Sequence, residues 1–143
     1  MKGFRLGRAG WTLSAALLAA AATTPALAQG CAASLQVQGA PMLTPMVYRV
    51  SGVAPGVSPA AALDQVARAA AGDFDNIRVD RRAGSVEGVQ ETSGSGRPQF
   101  VRFVVRKQGG GVRVDATFRV QAGQIAPEGA VRDTLCKIIA AAR

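Results

Sequence analysis

Gln99 to Gln121 reads Q-F-V-R-F-V-V-R-K-Q-G-G-G-V-R-V-D-A-T-F-R-V-Q. Two runs of alternating residues flank three glycines, the pattern of a β-hairpin. In the first run Val101, Phe103 and Val105 fall on one side. In the second, Val112, Val114, Ala116, Phe118 and Val120 fall on one side. Arg113, Asp115, Thr117, Arg119 and Gln121 oppose them. Strand side chains alternate, so one side is predicted to enter a core and the other to meet water. Two registers fit the glycines. A turn at Gly109-Gly110 sets Arg106 opposite Arg113, whereas a turn at Gly110-Gly111 sets Arg106 opposite Asp115 and Phe103 opposite Phe118. Opposite charges and aromatic pairs across a ladder each add about 0.2–1 kcal/mol, and like charges are unfavourable. The second register is therefore expected.

Upstream, Ile77 to Arg81 alternates and reads as a strand, with Arg82 to Ser85 as its turn. Val86 to Thr92 returns, but Val86 and Val89 have opposite parity, which a bulge near Gly88 would reconcile. Ser93 to Pro98 is a polar loop. Earlier still, Pro45 to Ser51 reads as a strand with Met46, Tyr48 and Val50 on one side, and Gly52 to Gly56 as a turn. Ser58 is a natural N-cap, and Pro59 suits the first helical position, where no amide donor is needed. Leu63, Val66, Ala67 and Ala70 follow at helical spacing, and Gly72 is a plausible stop. Ala33 to Gln38 alternates weakly and would add an edge strand to an otherwise mixed surface segment, Gln29 to Pro41. After the hairpin, Val131, Leu135, Ile138 and Ile139 form the apolar stripe of a last helix, with Cys136 at its border. Strand, helix, meander, helix implies an α+β fold: an antiparallel β-meander of four to five strands with two helices packed on one face.

The chain has 143 residues, enough for one domain. Residues 1–28 read as a cleaved secretory signal peptide and 29–143 as a single small domain. Lys2, Arg5 and Arg8 make a positive region, Trp11 to Ala22 an apolar run, and Ala26-Leu27-Ala28 an A-x-A cleavage site. The apolar run is shorter than the ~20 residues of a membrane span. Cleavage removes three positive charges and no acid, leaving +5 of the original +8. Export, by the general route into a bacterial periplasm or beyond, favours a disulfide between Cys31 and Cys136. The competing reading makes Cys31 the lipidated first residue of an outer-membrane lipoprotein, which Gln29 fits poorly.

There is no His in the chain, which removes the usual general base and the commonest metal ligand. Two Cys cannot complete a Cys-based zinc site. Asp73, Asp75 and Asp80 are near one another in sequence but lack calcium-loop spacing, and no Ser or Thr has a His partner. No catalytic residue, metal or cofactor is expected. Gly109-Gly110-Gly111 lacks the Lys-Ser/Thr and helix of a phosphate loop. No nucleic-acid motif is visible, and export removes the usual access to nucleic acid.

The remaining signal is basic. Arg102, Arg106, Arg113 and Arg119 are predicted to share the outer face of the hairpin, with Arg78 joining if its strand uses the same core. Guanidinium clusters bind carboxylates and phosphates through paired hydrogen bonds. The expected function is non-catalytic binding of an anionic envelope component, or of another periplasmic protein with an acidic surface. A solvated, charge-mixed face that blocks edge pairing accounts for the same residues. The alternative function is a structural or assembly factor of the cell envelope, using an apolar sheet edge or groove around Tyr48 and Val50.

Overall fold

The computed structural model describes residues 26–91 and 96–143. In chain order the elements are α1 (Ala26–Ala33), β1 (Gln36–Gln38), β2 (Met46–Pro55), α2 (Pro59–Ala70), β3 (Asp75–Asp80), β4 (Ser85–Glu91), β5 (Pro98–Gln108), β6 (Gly111–Val120) and α3 (Glu128–Ala140). The strands form one sheet in the order β1-β2-β6-β5-β4-β3, and every neighbour is antiparallel. The fold is α+β, with six strands rather than four to five and three helices rather than two among the described residues.

The alternation in the hairpin holds. Val101, Phe103 and Val105 on β5 are buried, as are Val112, Val114, Ala116, Phe118 and Val120 on β6. β2 completes this face with Met46, Tyr48, Val50 and Ala54. α2 covers it with Ala62, Leu63, Val66 and Ala70, and α3 with Val131, Leu135, Ile138 and Ile139. Ser58 caps α2 by accepting a hydrogen bond from Ala61 N at 3.2 Å.

The register differs from expectation. Arg106 pairs with Arg113, Phe103 with Ala116 and Val101 with Phe118, around a turn at Gly109-Gly110 in which Gly109 has φ +55°. Two forces outweigh the like-charge clash. Each Phe faces a smaller residue, which fills the core without crowding. Gly111 is needed inside the strand, where it pairs with Pro55; a Cβ there would meet the backbone carbonyl of Ala54. Asp115 relieves the clash itself by pairing with both arginines.

Three other expectations are corrected. Gly52 is no turn: β2 runs on to Pro55, and Gly52 is where Ile139 of α3 comes closest, 2.6 Å from where a Cβ would stand. β4 pairs regularly with β5 through Gly88, so the bulge expected near Gly88 is not on β4 itself but opposite it in the β3–β4 ladder. It lies on β3 between Asp75 and Arg78, around Asn76 at φ +51°. Val86 therefore enters the core while Val89 joins the outer face. Finally, the segment from Gln29 to Pro41 is more than surface. α1 lies on β2 and α3, and Cys31 within it is 1% exposed. Cys31 and Cys136 form a disulfide with Cα atoms 5.7 Å apart. Ser34 at the end of α1 accepts from Ser51 N at 2.8 Å and donates to Cys31 O at 2.7 Å, stitching the helix to β2. β1 is the expected edge strand. The positive region and apolar run of the N-terminus lie outside the described residues, as do residues 93–95 of the Ser93–Pro98 loop, and the predicted cleavage point after Ala28 falls within α1.

Candidate arginine face

Among the described residues the helices cover one face of the sheet. The other face is built by the alternate residues of each strand, and the register assigns them to rows. One row runs Gln36, Arg49, Thr117, Arg102, Glu87, Arg78 from β1 across to β3. The next runs Val47, Arg119, Phe100, Val89, Asp75. On the other side lie Ser51, Asp115, Val104 and Ser85, then Val53, Arg113 and Arg106. Arg102, Arg106, Arg113 and Arg119 are all exposed and all on this face, and Arg78 joins them. Arg49 is a sixth arginine that the hairpin-centred reading missed. Its signal was present, since it alternates with Tyr48 and Val50.

Charge is uneven across the face. β2, β6 and β5 carry Arg49, Arg102, Arg106, Arg113 and Arg119 against Asp115 alone. The acids Asp75, Asp80, Glu87 and Glu91 gather on β3 and β4. The arginines also differ in how they are held. Arg106 and Arg113 converge on Asp115 at 3.5 and 2.8 Å. Arg102 stands 3.6 Å from Glu87, and Arg49 donates to Gln38 Oε1 at 2.6 Å. Among the described residues Arg78 and Arg119 make no ion pair. Exposed pairs of this kind are each worth only about 0–1 kcal/mol, so they bias rather than lock the side chains.

Two grooves lie on this face. One of about 410 Å³ runs between Arg49, Arg102, Arg106 and Arg113, with Asp115 and Ser34 on its wall. The other, about 660 Å³, is lined by Arg78, Arg102, Arg119, Phe100, Val89 and Thr117, with Glu87 the one acid among its lining residues. Phe100 is 46% exposed there. A further cavity of about 470 Å³ lies on the helix side, over Phe74, Phe118 and Leu135, and Asp73 on its wall is already paired with Lys137 at 2.8 Å.

The remaining sequence candidates are separated. Tyr48 and Val50 are 4% and 2% exposed, with their side chains in the core, although Val50 also lies along the wall of the groove beside Arg49. Tyr48 Oη donates to the carbonyl of Ala126 at 2.9 Å, and burial, with Glu128 nearby, raises its pKa above the ordinary tyrosine value. Asp80 accepts from the amides of Arg82 and Ala83 at 2.9 Å each, and so shapes the β3–β4 turn. Among the described residues no three His, Cys, Asp or Glu side chains stand together as metal ligands, and no helix is long and apolar enough to cross a membrane. Cys31 Sγ is bonded to Cys136, which leaves no free cysteine for a lipid. No protein-family model matches this chain, and no curated protein matches it in sequence.

Proposed function

We propose that this is an exported periplasmic protein that works by binding, not catalysis, and that its uncovered sheet face contacts an anionic component of the cell envelope or an acidic partner protein. One observation carries the reading. A sheet with one face packed under helices leaves the other solvated, and three adjoining strands of that face bear five arginines against one acid. Such a field draws anions, and guanidinium forks hold phosphate and carboxylate in pairs of hydrogen bonds. The disulfide supports export, because such bonds persist in oxidising compartments. So does the signal-like N-terminus.

The test is sedimentation with isolated envelope fractions. Binding should weaken as salt rises, since the contacts are exposed and screened. Reversing Arg102, Arg106, Arg113 and Arg119 to Glu should abolish it. A folded variant that binds equally well, with unchanged salt dependence, overturns the assignment. Export is checked separately: the intact mass of the protein from the periplasmic fraction should lack residues 1–28.

A further inference from the structure

Building on that anion-binding reading, we propose that the groove around Phe100 holds one small amphiphilic anion, a phosphate or carboxylate head joined to a hydrocarbon chain. The arginines of the face are not equivalent. Arg106 and Arg113 must release Asp115 before they can take another anion. Arg78 and Arg119, which make no ion pair among the described residues, need release only water. Both line the same groove, with Arg102 between them on the sheet. Arg49, the other arginine of the face without an ion pair, is hydrogen-bonded to Gln38, so the two arginines of the face with neither contact among the described residues are gathered in one groove.

The second half of the site is apolar. Val89, Phe100 and Arg119 are consecutive along one row of the ladder, so apolar surface adjoins a guanidinium directly. Cβ atoms directly across a ladder are about 5 Å apart, close enough for one small ligand to touch both side chains. Phe100 would leave 46% of its surface in water without an occupant. A volume of about 660 Å³ suits a single small molecule rather than a flat macromolecular surface. The hydroxyl of Thr117 adds a donor for the head. A bare anion uses only the arginines, and a neutral hydrocarbon only Phe100 and Val89. The occupant that uses both is an amphiphile.

Calorimetric titration with hexyl phosphate, inorganic phosphate and hexanol tests this. Hexyl phosphate should bind about tenfold tighter than inorganic phosphate, a gain that burying about two methylenes supplies. Hexanol should show no binding at the same concentrations. R78Q/R119Q should weaken hexyl phosphate about tenfold or more. F100S should reduce its affinity to that of inorganic phosphate, while R106Q/R113Q should leave it within about threefold, as expected of groups outside the contact. All these positions are exposed, and circular dichroism verifies each variant's fold. Equal affinity for hexyl and inorganic phosphate overturns the proposal, as does loss in R106Q/R113Q with retention in R78Q/R119Q. Vesicles of phosphatidylglycerol separate the two readings. If they bind in a salt-sensitive, arginine-dependent way while hexyl phosphate does not, the groove proposal falls and the anionic-surface reading stands. If neither binds, the groove proposal falls together with the lipid form of the anionic-surface reading, and sedimentation with envelope fractions decides the acidic-partner form.

Discussion

Replacing Cys31 and Cys136 together by Ala should remove a large share of the folding free energy. The bond spans a sequence separation of 105 residues. Opening a loop of that size returns about 16 cal/mol/K of chain entropy to the unfolded state, or ~4.7 kcal/mol at 25 °C. Single domains are stable by only about 5–15 kcal/mol, so the variant is expected near the edge of folding. Alanine is preferred to serine because both sites are buried and a hydroxyl there would need a partner. The loss should begin locally. α1 has eight residues, too few to persist alone, and the bond anchors it to α3. Urea titration followed by circular dichroism reads the global effect: the midpoint falls, and the slope rises because the uncrosslinked chain expands further. The melting temperature should drop by about 10–25 °C. Amide exchange in α1 should accelerate more than in β5 and β6. A loss below about 1 kcal/mol would refute the loop-entropy argument.

Three further outcomes are expected. Gly52→Ala drives a methyl to 2.6 Å from Ile139 Cγ2 and should cost about 1–3 kcal/mol; adding Ile139→Ala should recover part of it, measured as coupling in a double-mutant cycle. Asp115→Asn leaves Arg106 opposite Arg113 without their shared partner, and should destabilise by under about 1 kcal/mol, more at low salt than at high. Tyr48 holds its proton more tightly folded than unfolded, so its contribution is complete below the ordinary tyrosine pKa of 10.0 and is lost as pH rises beyond it. Tyr48→Phe should flatten that alkaline decline while removing about 1 kcal/mol at neutral pH with the Ala126 hydrogen bond; urea midpoints from pH 8 to pH 11 check both.

Faces were legible from sequence and registers were not. Moving one strand of the hairpin by two residues keeps every side chain on its own face, so alternation cannot choose between the two pairings. What decides is distant. Gly111 must lie against Ala54 and Pro55 of β2, and nothing local to the glycine triplet reveals that neighbour. Gly52 misled for the same reason: a glycine beside Pro55 reads as punctuation until Ile139 is seen above it. α1 shows little periodicity, and its place follows from the disulfide and from Ser34 rather than from an apolar stripe. The outward arginines followed from the alternation in β5, β6 and β3. Which of them lack a carboxylate partner did not, because that depends on where Asp115 and Glu87 reach across the strands.

β6 begins 65 residues after β2 begins, yet it sits between β2 and β5 and hydrogen-bonds to both. Until it arrives, the N-terminal arm and the meander share no ladder. A polypeptide threaded through a pore from its first residue would wait, two half-assembled pieces with bare rims, for its last 33 residues. Long-range closure of this kind is slow and leaves sticky rims in the interim. Folding after the whole chain has crossed suits such a topology, and truncation ahead of Gly111 should yield no partly working product.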